Sequence, residues 1–228
     1  MVFHRSRSRT YGLKHGRVQC LAGLALTVLI WLTPALADEP VKIVALGDSL
    51  TAGLGLPVEQ AFPAKLTAAL RAKGIDARVA NAGVSGDTTT GGLARLGWSV
   101  PEGTQAVILE LGANDSFRGV DVKLIKANLE TILNKFQDRH VPVLLAGMLA
   151  PRNLGPDYVN AFDAIFPELA STHAVVFYPF FLDGVAADPK LNQADGLHPN
   201  AAGVDVIVAR ILPRVEELIT AARAARGP

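Results

Sequence analysis

Residues able to move an acyl group stand near opposite ends of the chain. Ser49 lies in Gly47-Asp48-Ser49-Leu50, and Asp195 and His198 lie in Asp195-Gly196-Leu197-His198-Pro199-Asn200. A hydroxyl becomes a nucleophile at neutral pH when an imidazole takes its proton and a carboxylate holds the other ring nitrogen. Ser49 follows the apolar run 41–46 directly, so it stands at the mouth of a buried strand. The plainer reading of this segment is a glycine-rich turn in which Asp48 or Ser49 caps a helix. Asp-x-x-His alone is equally common as a helix approach. The two segments carry weight only together.

Elimination narrows the base to one residue. Past residue 37 the chain has three histidines, His140, His173 and His198. His140 follows Asp138-Arg139 ahead of a strand and His173 closes a helix, so both read as surface or helix-end residues. Three scattered histidines, with no cysteine beyond Cys20, argue against a structural zinc site; the expectation is no metal and no other cofactor. Two further loops supply candidate oxyanion donors. Gly83, in Asn81-Ala82-Gly83-Val84-Ser85-Gly86-Asp87-Thr88, could bring its N–H close to a ligand, with Asp87 capping the following helix. Asn114, in Gly112-Ala113-Asn114-Asp115, is either an Asx-turn former or a side-chain donor, and Asp115 reads as structural. Neither a phosphate-binding G-x-x-x-x-G-K-[ST] nor a G-x-S-x-G elbow is present, so nucleotide binding and the common α/β-hydrolase fold are both disfavoured.

The first 37 residues read as a secretory leader. Arg5, Arg7, Arg9, Lys14 and Arg17 form a basic start, an apolar stretch runs over 18–32, and Pro34-Ala35-Leu36-Ala37 offers a small-x-small cleavage site. The stretch is short for a membrane span, which needs ~20 residues. Cleavage after Ala37 is favoured, with a retained anchor as the alternative. Cys20 precedes Leu21-Ala22-Gly23, the wrong order for a lipoprotein signal, and no twin arginine occurs. The expected destination is the periplasm, with the extracellular space as the alternative. Removing the leader takes five of the 22 basic residues and none of the 21 acidic ones, which turns a net charge of +1 into −4. That balance gives no nucleic-acid footprint, and no stable membrane insertion is expected after cleavage. Residues 38–228 then form a single domain without disulfides, long enough to bury roughly 70% of its unfolded surface.

The elements needed to position these loops are legible as period and punctuation. Apolar runs at 41–46, 77–81, 106–111, 141–148 and 175–178 read as strands covered on both faces. Helical segments fall at 62–73, stopped by Gly74; at 122–137, capped by Asp121; at 158–171; and at 200–225, capped by Asn200, with Pro213 as a kink or break. Leu124, Ile125, Leu129, Ile132, Leu133 and Phe136 form one apolar stripe. Residues 221–228 are expected to fray. Strand-helix alternation predicts a doubly wound α/β domain whose reactive loops gather beyond the carboxyl ends of the strands.

The four loops, in this order, resemble the SGNH (GDSL) hydrolase superfamily over about residues 41–213. Gly92-Leu93-Ala94-Arg95-Leu96 and Tyr158-Val159-Asn160-Ala161-Phe162 resemble the connecting segments of its bacterial thioesterase/arylesterase/lysophospholipase branch. The resemblance implies a three-layer αβα sandwich with a flavodoxin-like five-stranded parallel sheet. It implies Ser49 as nucleophile, His198 as general base and Asp195 as the residue orienting it. Its oxyanion hole corresponds to the Ser49 and Gly83 N–H groups and the Asn114 side chain. Its substrates are small-molecule esters or thioesters, with a carbohydrate O-deacetylase or a peptidase on activated substrates as close alternatives, and a non-catalytic secreted binding module as a distant one. Ala113 departs from the family, which more often has glycine there, and 150–155 is no clear match to its substrate-proximal loop. Acyl preference and oligomeric state stay open.

Overall fold

The computed structural model describes residues 1–4 and 39–225. The apolar part of the leader and the cleavage point after Ala37 lie outside these residues. The elements run β1 (Val41–Gly47), α1 (Ser49–Ala52), α2 (Phe62–Ala72), β2 (Ala77–Gly83), α3 (Thr89–Ala94), α4 (Leu96–Ser99), β3 (Ala106–Glu110), α5 (Ala113–Phe117), α6 (Val122–Asp138), β4 (Val143–Ala146), α7 (Pro156–Thr172), β5 (Val176–Tyr178) and α8 (Ala201–Ala224).

Five parallel strands form one sheet in the order β2-β1-β3-β4-β5. This is the flavodoxin-like order, in which the winding reverses between β1 and β3. The loops after those two strands therefore diverge and leave a crevice, and they are the loops that carry Ser49 and Asn114. α2 packs on α8, while α3 and α7 pack on α6, giving the two helical layers of an αβα sandwich. β3 and β4 are buried at every position, which explains why their sequences lack alternation. β2, at the sheet edge, is largely half-exposed.

Several local readings hold in the structure, and others need correction. Asp121 caps α6 by accepting from Lys123 N, and Asn200 caps α8 by accepting from Gly203 N. The α6 stripe is buried at Ile125, Leu129, Ile132, Leu133 and Phe136, but Leu124 is 48% exposed. Asn128 occupies the stripe instead, donating to Thr89 and Thr90 and so joining α6 to α3. Pro213 does not break α8; the helix runs through it from Ala201 to Ala224. A proline inside a helix costs about 3 kcal/mol, and each fully buried aliphatic side chain stabilises by about 1.5–3 kcal/mol. Val204, Ile207, Val208, Ile211, Val215 and Leu218, buried on both sides of the proline, outweigh it. The same packing extends past residue 220, where α8 continues to Ala224 with Ala222 buried, so fraying does not begin at 221.

Candidate active site

The Ser49 turn is built on close backbone approach. A Cβ on Gly47 would collide with Thr51 and with Glu110 Oε2, so only glycine lets the end of β1 pass between them. Asp48 is fully buried and its Oδ1 accepts from Leu50 N at 2.9 Å, capping α1. Ser49 occupies the first position of α1, where the backbone N–H has no helical partner. Thr51 Oγ1 donates to Glu110 Oε2 at 2.7 Å, which ties α1 to the end of β3. Burial pushes Asp48 up to about 6 and holds Glu110 well above the usual carboxylate range, with Asp48's own charge adding to the latter.

Arg95 braces this end of the sheet. Its Nη2 donates to Gly47 O and its Nη1 to Ala82 O, both at 2.9 Å, while Nε meets Asp87 Oδ2 at 2.6 Å. Asp87 is therefore the partner of a buried arginine and does not cap α3. Thr88 does, accepting from Gly91 N. Asp115 is structural, as expected, binding Thr89 through both carboxylate oxygens.

The second half of the site is local. Asp195 Oδ1 accepts from the backbone of Leu197 at 2.9 Å and of His198 at 3.0 Å, and Oδ2 lies 2.6 Å from His198 Nδ1. The His198 backbone N–H, followed by its ring and the Leu197 N–H, lowers Asp195 to about 2. An ionised carboxylate only accepts, so Nδ1 carries the proton and a neutral ring presents a lone pair at Nε2. Nε2 lies 2.9 Å from Ser49 Oγ. The structure thus brings Ser49, His198 and Asp195 into one hydrogen-bonded chain. His140 is exposed with a positive φ, and His173 bonds Leu169 O and Asn134 at the end of α7.

Of the three residues expected to supply oxyanion donors, Ser49 and Asn114 line one cavity together with His198. Asn114 Nδ2 donates to Asp48 Oδ2 at 3.0 Å, and its second N–H remains for a ligand. Gly83 is unavailable. Its N–H donates to Asn81 Oδ1 at 2.9 Å, and its missing Cβ makes room for the backbone of Ala52 and Asp48 rather than for a substrate. Gly86, further along the same loop, is placed differently. It is third in a turn closed by Asp87 N to Val84 O, has φ +81, and its carbonyl accepts from Arg118 just past α5. Such a turn does not use the N–H of its third residue.

A cavity of about 560 Å³ opens beside Ser49 and His198. Leu50, Phe117, Met148, Pro151, Phe180 and Leu182 make most of its wall apolar, and the Ala113 methyl also faces it. Ala150, Pro151 and Arg152 from the 150–155 segment line it too. Asp163 of α7 fixes that segment, accepting from Ala150 N and from Arg152 Nη1. Among the described residues no group of three or more His, Cys, Asp or Glu is placed to hold a metal, and no helix is long and apolar enough to cross a membrane.

Residues 45–206 match the sequence model of the GDSL-like Lipase/Acylhydrolase family. The chain is 38% identical to Esterase TesA of Pseudomonas aeruginosa over 84% of its length and 94% of that protein. It is 35% identical to Thioesterase 1/protease 1/lysophospholipase L1 of Escherichia coli K12, over 84% of this chain and 90% of that one. The solved structure of AlinE4, an SGNH-hydrolase family esterase, superposes with a TM-score of 0.67 at 46% identity, covering 78% of this chain and 96% of its own. The chain belongs to the GDSL-like lipase/acylhydrolase family and is an ester hydrolase.

Proposed function

We propose that this ester hydrolase works through a Ser-His-Asp acyl-enzyme mechanism on small carboxylic esters and on thioesters, and that it does so after secretion. The observation that carries the reading is the unbroken chain from Asp195 through His198 to Ser49 Oγ beside a largely apolar cavity. His198 Nε2 accepts the Ser49 proton as Oγ bonds to the carbonyl carbon, and the carbonyl π pair moves to oxygen. The Ser49 N–H and Asn114 Nδ2 stabilise that oxyanion; from the loop after β2, Gly86 rather than Gly83 has an N–H to add. Collapse breaks the bond to the leaving alcohol or thiol, which takes the proton from His198. Water then enters by the same route and releases the acid, restoring Ser49.

The apolar wall suits an acyl chain better than a polyhydroxylated sugar, which favours an esterase over a carbohydrate deacetylase. Thioesters are included because the Escherichia coli relative is a thioesterase. Secretion rests on the basic start, apolar stretch and Ala37 site of residues 1–37, and 38–228 is the proposed hydrolase domain. Ser49→Ala is expected to lose at least roughly a thousand-fold in kcat on p-nitrophenyl esters at an unchanged Tm, and to escape covalent labelling by an organophosphonate that labels the native protein. Near-native turnover by this variant ends the proposal.

A further inference from the structure

Asp48 does more than capping requires. A helix N-cap needs one polar oxygen, which Ser, Thr or Asn supplies as well as Asp. Here a carboxylate is fully buried and set against a second buried carboxylate, with Asp48 N reaching Glu110 Oε2 at 3.4 Å. Two acidic groups buried together make an ionised Asp48 costly, so the position calls for a function that a neutral cap could not perform.

That function is visible at the other oxygen. Oδ1 takes the Leu50 N–H and Oδ2 takes one N–H of Asn114, and both Asp48 and Asn114 border the cavity. We propose that Asp48 is a positioning residue: by accepting through Oδ2 it locks the Asn114 amide so that its second N–H, and not its carbonyl, faces the developing oxyanion. The inference rests on the acyl-transfer reading above. The acceptor-only chemistry of a carboxylate is what fixes the choice. An amide on α5 has two ends of nearly equal shape, and only an obligate acceptor beside it rejects the wrong one. The Leu50 and Asn114 hydrogen bonds pull Asp48 towards its charged form, while burial and the neighbouring Asp48 charge hold Glu110 well above the usual carboxylate range.

Asp48→Asn separates the two duties of this side chain. Its Oδ1 can still cap α1, but an NH2 replaces Oδ2 and meets the NH2 of Asn114. The Asn114 amide must then turn over, presenting its oxygen where the oxyanion forms. The expected result is a fall in kcat of about a hundred-fold, near the 10²–10³ typical for losing one such donor, with KM changed less than about threefold. Asn114→Ala should show a loss of the same order, and the double variant should be no slower than Asn114→Ala alone, because the first change acts only through the second residue. Melting at pH 8 should not fall in Asp48→Asn, since a buried charge has been removed.

A merely structural Asp48 would instead lower the melting temperature and multiply its loss with that of Asn114→Ala; either result overturns the inference. So does a kcat within threefold of native in Asp48→Asn while Asn114→Ala is slow, and that outcome leaves the acyl-transfer reading standing. Full turnover by Asn114→Ala removes Asn114 as a donor and overturns this inference, while Ser49→Ala decides the acyl-transfer reading separately.

Discussion

The Ser49 turn and the Asp195–His198 loop meet across one hydrogen bond, yet they are held in opposite ways. Asp195 is 45% exposed at its side chain and draws its low pKa from N–H groups two and three residues along its own loop. Asp48 is fully buried, its pKa is raised, and its second oxygen is satisfied from α5, 66 residues away. Arg95 and Glu110 extend that long-range bracing to the ends of β1, β2 and β3. A base that must release and regain protons can sit in a short, self-contained loop near water. A nucleophile and its oxyanion donors must keep their positions as charge develops between them, and that needs rigid elements tied together from several strands.

This contrast predicts that damage to the loop will be catalytic, while loss of the Arg95 brace beneath the serine will be structural. The largest effect is expected from Asp195→Asn, about 10⁴-fold in kcat because the imidazole loses its fixed tautomer, with only a small fall in Tm at pH 7 because the carboxylate is exposed and screened. Stopped turnover assays and calorimetry on the same sample check both halves; a large drop in Tm would break the contrast. Asp195's lowered pKa contributes stability above its ordinary value of 3.8 that is lost as pH falls through about 2, so this group gives no acid-side loss near neutrality.

Next is Arg95→Ala, which strands Asp87 in a buried place and releases two backbone carbonyls. Breaking such a pair costs about 3–5 kcal/mol, readable by urea unfolding. A cost below about 1 kcal/mol, the range of an exposed ion pair, would mean the brace is dispensable.

The smallest effect is the most diagnostic in sign. Glu110's folded pKa lies well above its ordinary value of 4.5. The folded state then holds its proton while the unfolded chain releases one, so native stability falls as pH rises above 4.5, by up to about 1.4 kcal/mol per unit. Glu110→Gln removes that slope. The variant's melting temperature should match native near pH 4 and exceed it at pH values above Glu110's ordinary 4.5; parallel curves would show that Glu110 is ionised in the fold.

Features governed by neighbours along the chain were readable without coordinates. All five strands, the helices at Phe62–Ala72, Val122–Asp138, Pro156–Thr172 and Ala201–Ala224, and the caps Asp121 and Asn200 follow from period and from side chains reaching two or three residues onward. Asp195 and His198 share that character, separated by three residues in one turn. One long-range signal was present but unread: Glu110 is a carboxylate ending an otherwise apolar strand.

What depended on partners brought in from afar was not readable. Gly83, in the right loop and of the right type, spends its N–H on Asn81 and its open side on Ala52; Asp87, a good capping residue, is taken by Arg95. The sequence by itself determined the five strands, the four long helices and which residue types could do acyl chemistry, because hydrophobic period and local hydrogen bonds are short-range. Only the tertiary structure decided how Ser49 meets His198 across 149 residues and which end of the Asn114 amide Asp48 selects, because each depends on the direction in which a donor points once the strands are side by side.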